Sequence, residues 1–199
     1  MKILNLYAGI GGNRKLWGDN HDIIAVELNP DIAKVYQDFF PNDKVIITDA
    51  HQYLLEHFKE YDFIWSSPPC QSHSSFRHNL CVRFGGTEPV YPDMSLWQEI
   101  IFLKYYGKDW IVENVKPYYE PIIKPDFILQ RHYFWSNKKI PERKFETDLL
   151  RKIQIPQLQE KYGFDLSKYR LKNKRQTLRN CVYPELGKHI LDSVLKEGE

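Results

Sequence analysis

The sequence predicts an α/β fold: a mostly parallel sheet with helices on both faces, followed by a small basic C-terminal subregion. Three observations carry this. Short apolar runs alternate with helical patterns through the first 135 residues, the mark of strand–helix–strand units. Conspicuous polar residues (Gly9, Glu27, Asp49, Cys70, Glu113) fall at or just after the ends of those runs, where ligands of such sheets collect. A chain of 199 residues, 42% hydrophobic and 27% charged, can enclose one core without disulfides or a structural metal.

The elements follow in order. Lys2–Tyr7 is a first strand; it lacks the long apolar stretch and cleavage site of a signal peptide. Gly11-Gly12 opens a helix, and Ile23–Leu28 is a second strand. Asn29-Pro30 joins a good N-cap to a proline at the first helical position, and Ile32, Val35, Tyr36, Phe39 and Phe40 keep helical spacing, so Pro30–Phe40 is an amphipathic helix. Val45–Thr48 is strand-like, and Asp49 caps a helix through Phe58. Tyr61–Ser67 is a buried strand, Asp93–Tyr106 a helix, Asp109–Val115 a strand and Phe127–Trp135 one further strand. Asn137–Lys174 has weak periodicity, and no element is assigned there. Leu186, Ile190, Val194 and Leu195 make Pro184–Lys196 a helix. No apolar run approaches the roughly 20 residues of a membrane span. Three cysteines (Cys70, Cys81, Cys181) form no paired framework, which fits a reducing cytoplasm.

Net charge is only +2, but its distribution is uneven. Ser136–Arg175 holds twelve Lys and Arg against five Asp and Glu. Such a stretch, with Lys138, Lys139, Arg143 and Lys144 near its start, is either a surface for a polyanion or a solvated face.

Five features bear chemistry. Tyr7-Ala8-Gly9-Ile10-Gly11-Gly12 lets the backbone turn tightly and approach a ligand, and free N–H groups at a following helix start favour an anionic group. Glu27 ends the second strand about twenty residues on, where an acid accepts hydrogen bonds from a ribose. Asp49 is placed to bind an adenine amino group, or simply to cap the helix behind it. In Ser66-Ser67-Pro68-Pro69-Cys70-Gln71-Ser72-His73-Ser74, two prolines impose a rigid, extended approach to a cysteine, so the thiolate is a positioned nucleophile. A small buried cysteine is the ordinary alternative, and it explains neither Pro-Pro nor the polar residues that follow. Glu113, in Trp110-Ile111-Val112-Glu113-Asn114-Val115, faces the same cavity if its strand lies beside that of Cys70; there it could exchange a proton with a ring nitrogen. Otherwise it is a strand-end acid in solvent.

Together these residues resemble the cytosine-C5 DNA methyltransferase family, in a short form. Pro69-Cys70-Gln71 followed by Glu113-Asn114-Val115 is the specific part. Arg175-Gln176-Thr177-Leu178-Arg179-Asn180-Cys181-Val182 resembles the family's last motif, which returns to complete the cofactor pocket. The resemblance implies a Rossmann-like methyltransferase fold with a catalytic domain over 1–135, a reduced recognition region over 136–174, and a closing motif and helix over 175–199. It implies S-adenosylmethionine as cofactor, with S-adenosylhomocysteine as product. It places Tyr7 (usually Phe), Gly9, Gly11, Gly12, Glu27, Leu28, Asp49, Ala50, Pro69, Asn180 and Cys181 around that cofactor. It gives Cys70, Glu113 and Arg131 to catalysis on an extruded cytosine of DNA. Gln71, Ser74, Lys138, Lys139, Arg143 and Lys144 are expected to touch DNA.

Three departures stand out. The family holds the flipped base with two arginines in Gln-x-Arg-x-Arg; here Gln130-Arg131-His132-Tyr133 offers one, and His132 or a residue elsewhere must supply the other donor. Arg179 replaces a usual glycine. The sequence-reading domain between these motifs is reduced to about forty residues, so a separate recognition subunit is an expected partner. Rival readings are an RNA substrate, since one branch of the family acts on transfer RNA, and a non-catalytic subunit that keeps the fold. Cys70-x-x-His73 with His78-x-x-Cys81 could ligate zinc, but a four-residue central gap is too short for the usual finger.

Overall fold

Five strands run parallel and one hairpin closes the sheet, in the order β3-β2-β1-β4-β5-β7-β6. The strands are β1 (Lys2–Leu6), β2 (Asp22–Val26), β3 (Lys44–Ile46), β4 (Phe63–Ser66), β5 (Asp109–Val115), β6 (Phe127–Leu129) and β7 (His132–Ser136). The helices are α1 (Pro30–Phe39), α2 (Ala50–His57), α3 (Ser75–Phe84), α4 (Ser95–Tyr106), α5 (Ile155–Tyr162), α6 (Lys174–Arg179) and α7 (Pro184–Lys196). This computed structural model describes residues 1–85, 88, 90–145 and 153–196. Residues 146–152 of the basic segment lie outside the described residues. No helix among those described is long and apolar enough to cross a membrane.

The two-residue period of the strands sorts the core. Leu4, Leu6, Ile24, Val26, Ile64 and Val112 pack against α2 and α4 on one face. Ile3, Ile23, Phe63, Trp65 and Ile111 face α7 on the other. Ala25, with Ala8 and Ile10 of the turn after β1, meets α1, α5 and α6 on that second face. The sheet order reverses between β1 and β4, so the crevice beyond their C-terminal ends is where a ligand is expected.

Local signals explain most boundaries. Asn29 accepts from Asp31 and Ile32 N–H at the start of α1, with Pro30 behind it. Asp49 accepts from Gln52 N–H at 2.8 Å and caps α2. The single strand expected over Phe127–Trp135 is instead a hairpin. Gln130 takes φ +54° and turns the chain, and β7 runs antiparallel to both β5 and β6. Phe127-Ile128-Leu129 and Tyr133-Phe134-Trp135 are the apolar arms, and the polar Gln130-Arg131 between them, with His132 opening β7, sits at the turn. The helix expected after Gly11-Gly12 is only a 3-10 turn, Asn13–Leu16. Its side chains are committed elsewhere: Asn13 pairs with Asn5, Arg14 with Asp43, and Gly18 at φ +76° ends the segment.

The unassigned stretch contains α5. Its signals were local: Gln154 and Gln157 form a capping box, Pro156 sits in the first turn, and Gly163 adopts φ +70° at the C-cap. Leu158, Tyr162, Phe164 and Leu166 are buried against α1, so this part of the basic segment belongs to the main core.

One glycine pins α7 to the sheet. A Cβ at Gly187 would stand 2.2 Å from the Asn13 carbonyl oxygen, and Trp17 Nε1–H donates to the Gly187 carbonyl at 3.0 Å. Gly→Ala in a helix gains about 1 kcal/mol from propensity, whereas a clash with main chain costs roughly 1–3 kcal/mol. Gly187→Ala is therefore expected to lower the urea midpoint; a raised midpoint contradicts this packing.

Candidate active site

The Tyr7–Gly12 turn leaves β1 with Tyr7 and Gly9 at φ +54° and +55° and Gly11 at +85°. A side chain at Gly11 would strike the Phe40 ring at 2.3 Å, and one at Gly12 would strike Cys181 at 2.7 Å. The turn is thus pressed between α1 and the segment after α6, while the Cβ position of Gly9 opens on empty space. A lone 3-10 turn contributes little dipole, so the anion-binding helix start expected here is absent. The main-chain turn itself and Glu27 remain. Glu27 Oε2 accepts from Gly9 N–H at 3.0 Å and Oε1 from Asn29 N–H at 2.9 Å. Each oxygen keeps a further lone pair.

Leu28 and Ile47, 66% and 56% exposed, present apolar surface next to Glu27 and Asp49. Ala50 is buried under α2, and Asp49 is exposed as its cap. Tyr7 reaches inward: its hydroxyl donates to Glu99 Oε1 at 2.5 Å. Glu99 is fully buried and also engages His51 Nδ1 at 3.0 Å and the Ser66 hydroxyl at 2.6 Å. This carboxylate ties β1, α2, β4 and α4 together below the crevice. Its signal was present in the sequence, as one acid within the apolar stripe of Leu96, Ile100 and Leu103.

Parallel pairing of β4 with β5, in the register Ser66↔Val112, brings the Pro-Pro-Cys loop beside Glu113. Asn114 fastens the two: its Nδ2 donates to the Pro68 carbonyl at 3.0 Å and its Oδ1 accepts from Val115 N–H. The Cys70 carbonyl accepts from the N–H groups of His73 and Ser74, which curls the chain into α3. Ser74 caps that helix, and Gln71 is exposed.

Glu113 is 7% exposed. Burial raises its carboxyl to about 7, against the opposing effects of the Ser67 hydroxyl and Arg131. His132 Nδ1 lies 3.7 Å from Glu113 Oε1, too far for a hydrogen bond. Burial, then Arg131, push that imidazole down to about 3, so it is neutral and the contact is not an ion pair. Burial and then Glu113 raise the Cys70 thiol, while Arg131 and Arg179 pull it down. Sulfur and carboxyl therefore share one electrostatic neighbourhood.

The segment after α6 reaches the glycine turn through one side chain. Cys181 is buried against the glycine turn, its thiol raised to about 12 by burial alone. Asn180 is exposed at the C-cap of α6 and accepts from Gln176 Nε2.

Among the described residues of the basic segment, Lys138, Lys139, Arg143 and Lys144 do not present one face to this crevice. Lys138 pairs with Asp109 at 2.9 Å, at the start of β5 and hence at the opposite end of the sheet from Cys70. Lys139 lines a groove there with Asp126 and Asn137. Arg143 reaches Glu185 and lies over Phe145, and Lys144 is exposed. β7 returns antiparallel, which carries the chain away from the site before these residues begin. Of the zinc candidates, His73 meets the Tyr119 hydroxyl and His78 stacks on Tyr118.

Residues 1–117 match the C-5 cytosine-specific DNA methylase family. The chain belongs to that family. A tRNA (cytosine(38)-C(5))-methyltransferase of Spodoptera frugiperda is 36% identical over 76 residues, 35% of this chain and 23% of that protein. The chain therefore spans under a quarter of this relative. The solved structure of the Entamoeba histolytica methyltransferase EhMeth covers 100% of this chain and 99% of its own at TM-score 0.58 and 10% identity, a likeness of fold. A Spodoptera frugiperda DNMT2 structure is 28% identical over 58% of this chain and 35% of its own, at TM-score 0.41.

S-adenosylmethionine is the family's methyl donor, and the crevice fits it. An open glycine turn suits a methionine moiety, Glu27 has lone pairs left for a diol, and Leu28 and Ile47 offer apolar surface beside Asp49 for an adenine. When bound, the cofactor supplies an electrophilic methyl group.

Proposed function

We propose that this chain is a DNA (cytosine-5-)-methyltransferase that works through a covalent Cys70 adduct. The observation that supports it best is the β4–β5 register, which sets the Pro-Pro-Cys loop beside a buried carboxyl poised near neutrality. In this reading Cys70 Sγ adds to C6 of an extruded cytosine while Glu113 gives a proton to N3. Electron density gathers at C5, which takes the methyl group. Loss of the C5 proton to a base then expels the sulfur, N3 returns its proton to Glu113, and the ring is restored. Arg131 steadies the negative charge at the rim of the pocket. Tyr7, fixed by Glu99, shapes the cofactor side.

RNA is the second reading, favoured by the likeness to a tRNA methyltransferase. Duplex DNA and transfer RNA, assayed side by side with labelled S-adenosylmethionine, separate the two. Label in DNA at least tenfold above RNA is expected; the reverse ratio moves the assignment to RNA. No label in either, with or without an added recognition subunit, sinks both.

A further inference from the structure

We propose that Arg179 belongs to the reacting site, where its guanidinium and that of Arg131 come toward the Cys70 loop from two different elements and ease formation of the thiolate. For its meaning in catalysis this rests on Cys70 being the nucleophile of the reaction proposed above.

The geometry comes from three directions. Arg131, at the tip of the β6–β7 hairpin, donates through Nη2 to the main-chain carbonyl of Arg179 at 3.1 Å, which docks the end of α6 against the hairpin. The Arg179 guanidinium lies over Phe76, 6.0 Å from the ring centroid. Phe76 is in the first turn of α3, which begins where the Cys70 carbonyl takes the N–H groups of His73 and Ser74. Arg179 Nε is buried without a hydrogen-bond partner, and a half-buried guanidinium that stays charged calls for an anion.

The charges around the sulfur agree. Glu113 on β5 opposes the thiolate, while Arg131 and Arg179 favour it. Arg179 in turn feels Arg131 and Arg175 as repulsive neighbours and Cys70 and Tyr162 as favourable ones. His132 cannot be the second cation, because it is buried and neutral. A thiol raised by its own burial and by a neighbouring acid needs more than one nearby cation to ionise, and α6 brings the second. The glycine usual at this place in the family could not do so.

Thiol titration tests this without any nucleic acid. Iodoacetamide is reacted with the full chain across a pH series, and the rate is read on the Cys70 peptide by mass spectrometry, apart from Cys81 and Cys181. Arg179→Gln is expected to raise the Cys70 midpoint by about one pH unit. Below the midpoint that is a tenfold loss of thiolate, partly offset by higher intrinsic nucleophilicity, so alkylation slows about threefold. Arg179→Lys should restore the wild-type curve, which mere repair of packing would not do. The hydrogen bond from Arg131 ends on main chain and survives either change; Arg179→Gly serves if Arg179→Gln does not fold. A midpoint unmoved in Arg179→Gln or Arg179→Gly, while Arg131→Gln raises it, overturns the proposal. A shifted midpoint in a chain that methylates nothing upholds this inference and removes the proposed function; methylation with an unmoved midpoint does the reverse.

Discussion

Cys70→Ser is expected to abolish covalent capture of a nucleic acid carrying 5-fluorocytosine in the presence of S-adenosylmethionine, and to cut methyl transfer by roughly 10³-fold or more. Fluorine in place of the C5 proton blocks the step that expels the sulfur, so the wild-type adduct accumulates and survives denaturing electrophoresis. Serine is nearly the same size, but its hydroxyl is a far weaker acid and stays protonated beside Glu113. The change leaves the loop intact, because the turn after Cys70 is held by its main-chain carbonyl and Asn114 grips Pro68. Loss of the adduct with an unchanged melting temperature therefore reports chemistry. An adduct that persists in Cys70→Ser removes this sulfur as the nucleophile.

Glu113→Gln should separate catalysis from stability by moving them in opposite directions. Methyl transfer is expected to fall roughly 10²–10⁴-fold, the range for a lost general acid. Stability is expected to rise, and the sign follows from the carboxyl being raised from 4.5 to about 7 in the fold. Below pH 4.5 the acid is neutral whether the chain is folded or not, and burial costs nothing extra. Between 4.5 and about 7 only the unfolded chain ionises, which progressively favours unfolding. Above about 7 the penalty is constant, on the order of 3 kcal/mol. Glutamine never ionises, so the variant should gain most of that amount at pH 8 and little at pH 4.5. The activity profile changes too. Wild type needs one proton shared between Glu113 and Cys70, so its rate rises through about pH 7 and falls again as the second group ionises. In Glu113→Gln only the thiol titrates, and the alkaline fall disappears. Equal loss of activity and stability, with no change of profile, makes Glu113 a structural residue.

The parts of this protein legible in the sequence are those fixed by neighbours along the chain. Pro30–Phe40 could be read because cap, proline and apolar spacing lie within one stretch, and α1 runs Pro30–Phe39. The hairpin at Gln130 escaped because its polar Gln-Arg-His interruption carries no glycine or proline: a non-glycine residue there adopts positive φ, held by strand pairing on both sides. Lys138 looked like part of a polyanion-binding run because charge density carries no direction. Only the antiparallel return of β7 shows that it lands beside Asp109.

The site divides the same way. Sequence alone marked the candidate groups, since Pro-Pro-Cys, Glu-Asn-Val and the glycine turn are short motifs of neighbours along the chain. Tertiary structure decided who stands next to whom and in what charge state. The β4–β5 register set the Cys70 loop beside Glu113, burial raised that carboxyl to about 7 and left His132 neutral, and α6 brought Arg179 to the β6–β7 hairpin from far along the chain. Desolvation and Coulomb fields depend on distances through space, which residue order does not encode until the chain has folded.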